Sequence, residues 1–354
     1  MRLVVFTEPE FGESYASLLR LAQLTEELGF FGFSCSDHYG ASTGAQRPPG
    51  PVDAWITLAG LARETTRLRL GTLVTPCTFR HPAALAVTVA QVDAMSGGRV
   101  ELGLGTGHNA TEHAEFGIPF PELTERYQRL EEQLAIITGM WATPAGERFS
   151  HAGPHYQLTA NPALPKPVQR PRPPIVIGGR GPKRTPALAA AFADELNVSY
   201  LPPEETAAAF DRARAACQAI GRDPASLRFS VTQLLACGAT AGEVDKRLEK
   251  TPTVPASGRR PGTRSVLDHA AVGPPAQVAA RLRRYAEIGA ERAYLHCWDT
   301  GDLNHLRLVA DQVLPGRDMK TQRSAAARRR PRRRRDRAAG QSRISPAAGR
   351  PSTR

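Results

Sequence analysis

The sequence predicts a parallel (β/α)8 barrel, and two observations lead to this fold class. Strand-like and helix-like segments alternate eight times over roughly the first 315 residues, which is the pattern of a βα repeat. Of the 354 residues, 41% are hydrophobic, which is enough for an ordinary core. A doubly wound parallel sheet is the alternative arrangement of the same alternating pattern. No apolar run reaches the 18 residues or so that a membrane-spanning helix needs, so we expect no membrane partner.

Short apolar or alternating segments bounded by turn residues predict the eight strands. These strands cover residues 3–6, 30–35, 68–74, 99–104, 174–177, 195–199, 227–236 and 292–297. Apolar residues at helical spacing, such as Leu18, Leu21 and Leu24, predict the intervening helices. The predicted helices cover 14–28, 52–65, 82–95, 122–139, a segment that ends at 193, 203–220, 276–288 and 304–313.

Two stretches interrupt the alternation, and we expect them to be insertions at the barrel rim after strands 4 and 7. Residues 140–173 contain many prolines and the pair Phe149 and Tyr156, which suggests a small hairpin. Residues 251–273 are basic and rich in Pro and Gly, and they are a candidate lid.

The net charge of +12 lies in the C-terminal segment. Residues 317–354 hold 14 basic and 2 acidic residues, and the first 316 residues hold 32 of each. We therefore predict one barrel domain, residues 1–316, and a disordered Arg-rich tail, residues 317–354. The tail could contact phosphates, but it has no aromatic side chains on which bases could stack, so a nucleic-acid partner is not expected.

Cysteine usage and the N-terminus predict a cytoplasmic protein. The five cysteines are odd in number, scattered and never in a CxxC pair, which argues against a disulfide framework and a structural zinc site. The apolar run at residues 3–6 is too short for a signal peptide.

The glycine-rich end of predicted strand 4 is the first candidate site. Gly103, Gly105 and Gly107 leave room for a flat group against the backbone, although a flexible turn would look the same. The alternation also points Glu101 and Gly103 into the barrel. Since a charge inside a barrel needs a partner, we predict an Arg69–Glu101 pair; the alternative is that both side chains lie near strand ends in water.

Chemistry in such a barrel lies at the C-terminal ends of the strands. Strand 2 ends in Asp37 and His38, and a histidine there can transfer a proton near neutral pH. Strand 5 ends in Gly178–Gly181, which opens a helix and carries Arg180, so it predicts a phosphate site; an ordinary turn is the alternative. Strand 8 offers His296 and Trp298.

Two other kinds of chemistry are not supported. His108 and His113 do not have the HExxH spacing and lack a carboxylate cluster, so no metal site is predicted. A GxSxG motif is also absent from the sequence, so hydrolase chemistry has no support.

Several motifs, in this order, resemble the luciferase-like monooxygenase superfamily and, within it, oxidoreductases that use the deazaflavin coenzyme F420. They are SDH at 36–38, LGTLVTPCTFRHP at 70–82, SGGRVELGLGTGHN at 96–109, EHAEFGIPFP at 112–121, ERYQRLEEQL at 125–134 and LPKPVQRPRPPIVIGGRGPKRT at 164–185. The resemblance covers about residues 1–315 and implies a (β/α)8 barrel, a small-molecule substrate and a homodimer.

The resemblance also implies residue roles. His38 would transfer a proton beside the reactive ring. His108 is the second candidate catalytic residue, at a position where sugar-phosphate and alcohol dehydrogenases of the family carry Glu; this departure leaves the substrate open. Thr72–Leu73 would form a non-prolyl cis peptide behind the ring. The remaining cofactor-binding residues implied are Asp37, Thr106, Gly107 and Asn109 around the ring or its side chain, and Gly178, Gly179, Arg180 and Gly181 at the phosphate.

These roles predict hydride transfer between an organic substrate and coenzyme F420. FMN is the alternative cofactor, in a luciferase-like monooxygenase with a separate flavin reductase. The phosphate loop lacks the serine that FMN-using relatives often show, which favours F420. A non-catalytic flavin-binding protein is the other alternative.

Overall fold

The computed structural model describes residues 1–41, 48–251 and 263–314, with the side chains of 263–265 outside the description. These residues form twelve strands: β1 (Arg2–Thr7), β2 (Gly32–Cys35), β3 (Arg69–Thr72), β4 (Thr75–Pro76), β5 (Val100–Gly105), β6 (Phe149–Ala152), β7 (Gln157–Asn161), β8 (Ile175–Gly178), β9 (Glu195–Ser199), β10 (Arg228–Cys237), β11 (Ala271–Gly273) and β12 (Arg292–His296).

The same residues form eleven α-helices. They are α1 (Tyr15–Glu27), α2 (Ala54–Glu64), α3 (Pro82–Ser96), α4 (Ala110–Glu115), α5 (Leu123–Ala142), α6 (Arg184–Phe192), α7 (Pro203–Ala219), α8 (Ala241–Glu249), α9 (Thr263–His269), α10 (Pro275–Glu287) and α11 (Leu303–Gln312). None of these helices is long and apolar enough to cross a membrane.

Eight parallel strands close into a barrel. They pair in the order β1, β2, β3, β5, β8, β9, β10 and β12, and β12 pairs back onto β1 with His296 opposite Phe6. Since an open sheet would leave two unpaired edges, this closure confirms the (β/α)8 barrel and excludes the doubly wound sheet. All eight predicted strands are present, with ends within two residues of the prediction.

Side chains alternate between two separate apolar regions, as the strand period requires. Val100, Leu102 and Leu104 of β5 face outward and belong to the main core with the helices. Inside the barrel, Val4 and Phe6 of β1 pack with Tyr294 of β12 in a smaller cluster. The outward phase predicted for β5 is therefore confirmed.

The lower interior of the barrel holds a buried ion cluster. Nε of Arg69 lies 3.0 Å from Glu101 Oε1, which confirms the predicted pair. Arg292, which the sequence did not single out, lies 2.7 Å from Glu101 and 2.9 Å from Glu195. Burial opposes ionisation of Glu101, but Arg292 and Arg69 outweigh it and lower the pKa of Glu101.

The segments between the barrel units are partly described. A hairpin of β6 and β7 follows α5, so the predicted hairpin is confirmed. Residues 252–262 of the predicted lid lie outside the described residues, and so does the predicted tail, residues 317–354. The described parts around the lid form α8, α9 and β11, none of which was predicted.

Candidate active site

The C-terminal ends of the barrel strands bring most of the predicted residues to one mouth. His38 follows β2 and His108 follows β5, and their rings meet edge to face with centroids 5.0 Å apart. Across the mouth, Tyr200 after β9 hydrogen-bonds His296 at the end of β12, over 2.5 Å. Glu8 after β1 lies 3.8 Å from His296, and it also acts electrostatically on His38.

Glu112 on α4 holds His38. Its Oε1 lies 2.7 Å from Nδ1 of His38, and its Oε2 accepts the backbone N–H groups of Tyr39 and Gly40, each at 3.1 Å. Glu112 itself is 1% exposed. Nε2 of His38 makes no hydrogen bond with any residue that the structure describes, so it is the ring atom free to face a ligand.

These contacts determine the protonation of His38. Burial alone would lower the pKa of His38, but the hydrogen bond to Glu112 and the charges of Glu10, Glu112 and Glu8 raise it to about 9. His38 is therefore an imidazolium at neutral pH, and it becomes a base only in alkaline solution.

The sequence did not identify Glu112, although a local signal for it exists. Asn109 caps α4 by accepting the N–H of Glu112, three residues later, and this Asn-x-x-Glu spacing resembles a capping box. The Asn109 amide also donates to the Gly40 carbonyl at 3.1 Å. Both the oxygen and the nitrogen of the Asn109 side-chain amide, a predicted cofactor ligand, thus hold α4 and the loop after β2.

His108 is in a different electrostatic state from His38. It lies at the mouth with its ring against His38. Desolvation of the ring and the neighbouring His38 cation both lower the pKa of His108. The pair therefore consists of one charged and one neutral histidine at pH 7.

Asp37 lies beneath the mouth and is 1% exposed. Its Oδ2 accepts from Arg80 at 2.5 Å and from the Thr75 hydroxyl at 2.7 Å. Arg80 also donates to Asp53 at 2.6 Å, so it joins the end of β2 to the start of α2. Arg80 was not singled out from the sequence. Oδ1 of Asp37 has no hydrogen-bond partner among the described residues. Burial raises the pKa of Asp37, and Arg80 opposes that rise.

The bulge after β3 corrects two expectations. The non-prolyl cis bond is Leu73–Val74, not Thr72–Leu73. Thr72 is the last residue of β3, two residues before the predicted strand end at 74, and the Leu73 N–H donates to the Cys35 carbonyl. A Cβ on Gly103 would collide with the Thr72 carbonyl oxygen.

Val74 of the bulge therefore fills the space above Gly105 of β5 and Gly178 of β8. A Cβ on Gly105 would lie 2.7 Å from Val74, and one on Gly178 would lie 3.0 Å from it. Thr72 is buried and donates to Gly103, whereas Leu73 is half-buried and packs against the interior apolar cluster. Any flat ligand would meet the bulge rather than these two glycines.

The loop after β8 has the features expected of an anion site. Arg180 is exposed and makes no hydrogen bond or ion pair among the described residues. Lys183 occupies the N-cap position of α6 and makes no capping hydrogen bond, so the first turn keeps free N–H groups. Gly179 has a φ of 155°, and its N–H donates to Asn197.

Two adjacent residues of α5 support the two glycine loops, and neither was singled out from the sequence. Arg126 donates to the Gly107 carbonyl at 2.5 Å, where Gly107 has a φ of 75° beside half-buried Thr106. Tyr127 hydrogen-bonds Thr185 of α6 at 2.9 Å. A Cβ on Gly181 would lie 2.5 Å from the Tyr127 hydroxyl, so a side chain at this position would displace that hydroxyl.

No group of three His, Cys, Asp or Glu side chains in the described parts of the chain is arranged to hold a metal ion. His113 instead bridges the Asn109 carbonyl and the Thr78 hydroxyl, each at 2.7 Å.

Comparison with known proteins places this geometry in context. The model of the family "Luciferase-like monooxygenase" matches residues 1–292. An F420-dependent glucose-6-phosphate dehydrogenase of Microbacterium testaceum is 37% identical over 179 residues, 50% of each chain. An F420-dependent hydroxymycolic acid dehydrogenase of Mycobacterium tuberculosis is 33% identical over 218 residues, 59% of this chain and 56% of the relative. The chain thus spans about half the length of these curated relatives.

Solved structures share the fold. An F420-dependent secondary alcohol dehydrogenase in complex with an F420-acetone adduct has a TM-score of 0.78 at 18% identity, over 90% of this chain and 99% of the other. A long-chain alkane monooxygenase has a TM-score of 0.73 at 17% identity, over 92% of each chain. With the family model matching most of its length and its barrel shared by these structures, the chain belongs to the luciferase-like monooxygenase family.

Proposed function

We propose that the protein is an oxidoreductase that transfers a hydride between an organic substrate and the deazaflavin coenzyme F420. The observation that carries the proposal is His38, which Glu112 holds at the barrel mouth while Nε2 makes no hydrogen bond to any described residue. The relatives named for F420-dependent reactions support the choice of cofactor.

The residues present fit a flat, phosphate-bearing cofactor. Arg180 and the uncapped start of α6 offer positive charge and N–H groups to a phosphate. Leu73 and Val74 of the bulge would support the ring from behind, and Thr106 and Gly107 would lie along it. Oδ1 of Asp37 has no hydrogen-bond partner in the part of the chain that the structure describes. F420, when bound, accepts or donates the hydride at its deazaflavin ring.

The chain's own contribution is to move a proton and to orient the substrate. At neutral pH the imidazolium of His38 can donate the Nε2 proton to the oxygen of a carbonyl substrate that is being reduced. In the oxidation direction, Nε2 must first be neutral to accept the proton of an alcohol. Glu112 fixes the ring through Nδ1 in both directions, so that Nε2 is always the exchanging atom.

Binding and turnover test this proposal. F420 and FMN are titrated separately into the cofactor-free protein, and the change in cofactor fluorescence gives each affinity. We then expect His38→Gln to lose at least a hundredfold in kcat while it binds F420 normally, because general acid–base catalysis contributes about that much. His155→Gln, on the hairpin, is the matched control.

The alternatives give other results. Preferential FMN binding, with oxygen-dependent turnover that needs a flavin reductase, identifies the monooxygenase. A flavin-dependent trigonelline monooxygenase, oxygenase component, of Acinetobacter baylyi is 29% identical to this chain over 169 residues, 48% of this chain and 44% of the relative. Tight binding of either cofactor without turnover identifies a non-catalytic flavin-binding protein. A cytoplasmic homodimer that acts on a small molecule, without a nucleic-acid partner, completes the proposal.

A further inference from the structure

One wall of the mouth, opposite His108, has no role in the mechanism above. It consists of Glu8, Phe11, Tyr200, His296 and Trp298, and we call it the β12 wall. The rings contact each other in sequence: Phe11 meets Trp298 edge to face at 5.1 Å, and Trp298 meets His296 at 4.2 Å. Tyr200 completes it through its hydrogen bond to His296.

Two buried ring nitrogens of the β12 wall lack a hydrogen-bond partner in the parts of the chain that the structure describes. The Tyr200 hydroxyl and Nδ1 of His296 share a hydrogen bond of 2.5 Å; with the hydroxyl as the donor, the single proton of a neutral imidazole lies on Nε2. Nε2 of His296 is buried, and so is Nε1 of Trp298; neither has a hydrogen-bond partner among the described residues. Because an unpaired buried polar group is costly, two of them at one wall of the mouth indicate a ligand oxygen that would accept from Trp298 and, in this tautomer, from His296.

The groups on the wall itself disfavour anionic ligands. Burial lowers the pKa of His296 to about 3, so this ring stays uncharged. Glu8 lies 3.8 Å from His296, and burial and the neighbouring Glu10 raise the pKa of Glu8, so the wall itself offers an anion a carboxyl group rather than a cation. The cation that acts on Tyr200 is Arg180, which the proposed function assigns to the cofactor phosphate.

We propose that the β12 wall is the substrate subsite, and that it selects uncharged ketones or alcohols with an apolar or aromatic body over phosphorylated or carboxylated compounds. The substrate oxygen or a second uncharged oxygen accepts from His296 and Trp298, and its carbon frame packs on Phe11 and Tyr200. This inference rests on the proposed function, because it assumes that the mouth holds a redox substrate.

Two probes of equal shape test the selection. Cyclohexyl methyl ketone carries a methyl group where cyclohexanecarboxylate carries a charged oxygen. Glucose 6-phosphate serves as a phosphorylated probe. Binding to the full-length protein is measured at pH 7 by equilibrium dialysis, with and without F420. We expect the ketone to bind at least tenfold more tightly than either anion. Equal or tighter binding of an anion, or no binding of the ketone in either condition, overturns the inference.

A tryptophan variant tests the wall itself. Trp298→Phe keeps an aromatic ring but removes the N–H donor, so we expect ketone affinity to fall about fivefold. Trp141→Phe is the control: Trp141 donates to Ala86 in the outer core, so its loss leaves ketone affinity unchanged. An unchanged ketone affinity in Trp298→Phe overturns the assignment.

F420 affinity, measured separately on the same proteins, distinguishes the two proposals. Normal F420 binding without ketone preference rejects only this inference. Ketone preference without F420 binding rejects only the proposed cofactor.

Discussion

The carboxylate of Glu112 lies 2.7 Å from Nδ1 of His38, and 74 residues of sequence separate the two. The contact exists because β2 and β5 end at the same face of the barrel and α4 begins directly after β5. It fixes one ring nitrogen of His38 and raises its pKa, so it determines both where the proton leaves and at what pH.

Replacing Glu112 by Gln should move the pH dependence of the reaction. Loss of the charge lowers the pKa of His38 from about 9 toward the ordinary value of roughly 6.5. Since a neutral His38 is the base for alcohol oxidation, the rise of kcat/KM with pH should begin one to two pH units lower, on the order of the lost shift. Glu131→Gln, on the exposed face of α5, should leave the profile unchanged. An identical midpoint in Glu112→Gln would contradict the assignment.

Arg292 should be essential for stability rather than for chemistry. Arg292→Met leaves Glu101 and Glu195 buried without their shared cation, which costs about 3–5 kcal/mol of unfolding free energy at pH 7. Urea denaturation of the variant measures this loss. Arg283→Met, an exposed change on α10, should stay within about 0.5 kcal/mol of wild type.

The same pair of proteins gives a pH test. The lowered pKa of Glu101 stabilises the native wild type above the ordinary pKa of Glu, and this contribution is lost as the pH falls through the lowered value. In Arg292→Met the carboxyl groups protonate more easily, so the difference from wild type should shrink between pH 7 and pH 4. If the difference in unfolding free energy between the variant and wild type stays constant over this range, the ion cluster is not the cause of the lost stability.

Tyr127→Phe should weaken cofactor binding more than it weakens the fold. The change removes the hydrogen bond to Thr185 that supports Gly181, a loss of about 1 kcal/mol. We expect F420 affinity to fall several-fold, while Tm decreases by only a few degrees. Tyr15→Phe, on the exposed side of α1, is the control. Unchanged F420 affinity would show that Tyr127 does not support the anion site.

Gly105→Ala should disturb the bulge after β3. Its Cβ would lie 2.7 Å from Val74 Cγ2, so we expect a loss of about 1–3 kcal/mol, which is the usual cost of overpacking. Val74→Ala removes the colliding methyl groups, and the double variant should therefore lose less than the sum of the two single changes. Thermal unfolding of all four proteins measures the coupling. Additive losses would mean that the cost of Gly105→Ala does not come from a collision with Val74.

Sequence periodicity was sufficient for the barrel because strand and helix periods are local properties. All eight strands, the outward phase of β5 and the Arg69–Glu101 pair could be predicted in this way. The strand ends also pointed to His38, His108, His296 and Gly178–Gly181, since parallel strands in a barrel end at one face.

The partners of those residues could not be read from spacing. Glu112, Arg80, Arg292 and Tyr127 each act on a residue that is distant in sequence, and their types are ordinary on helices and strands. The glycines of β5 were correctly noticed, but spacing could not show that Val74 would fill the room above them.

The sequence by itself thus determined the barrel and which strand ends carry polar and glycine residues, because both follow from short-range periodicity. Only the tertiary structure decided which side chains are charged, which donors lack acceptors and which space is already occupied. Those properties depend on burial and on contacts made when the barrel closes, which bring β1 and β12 together although nearly 300 residues separate them.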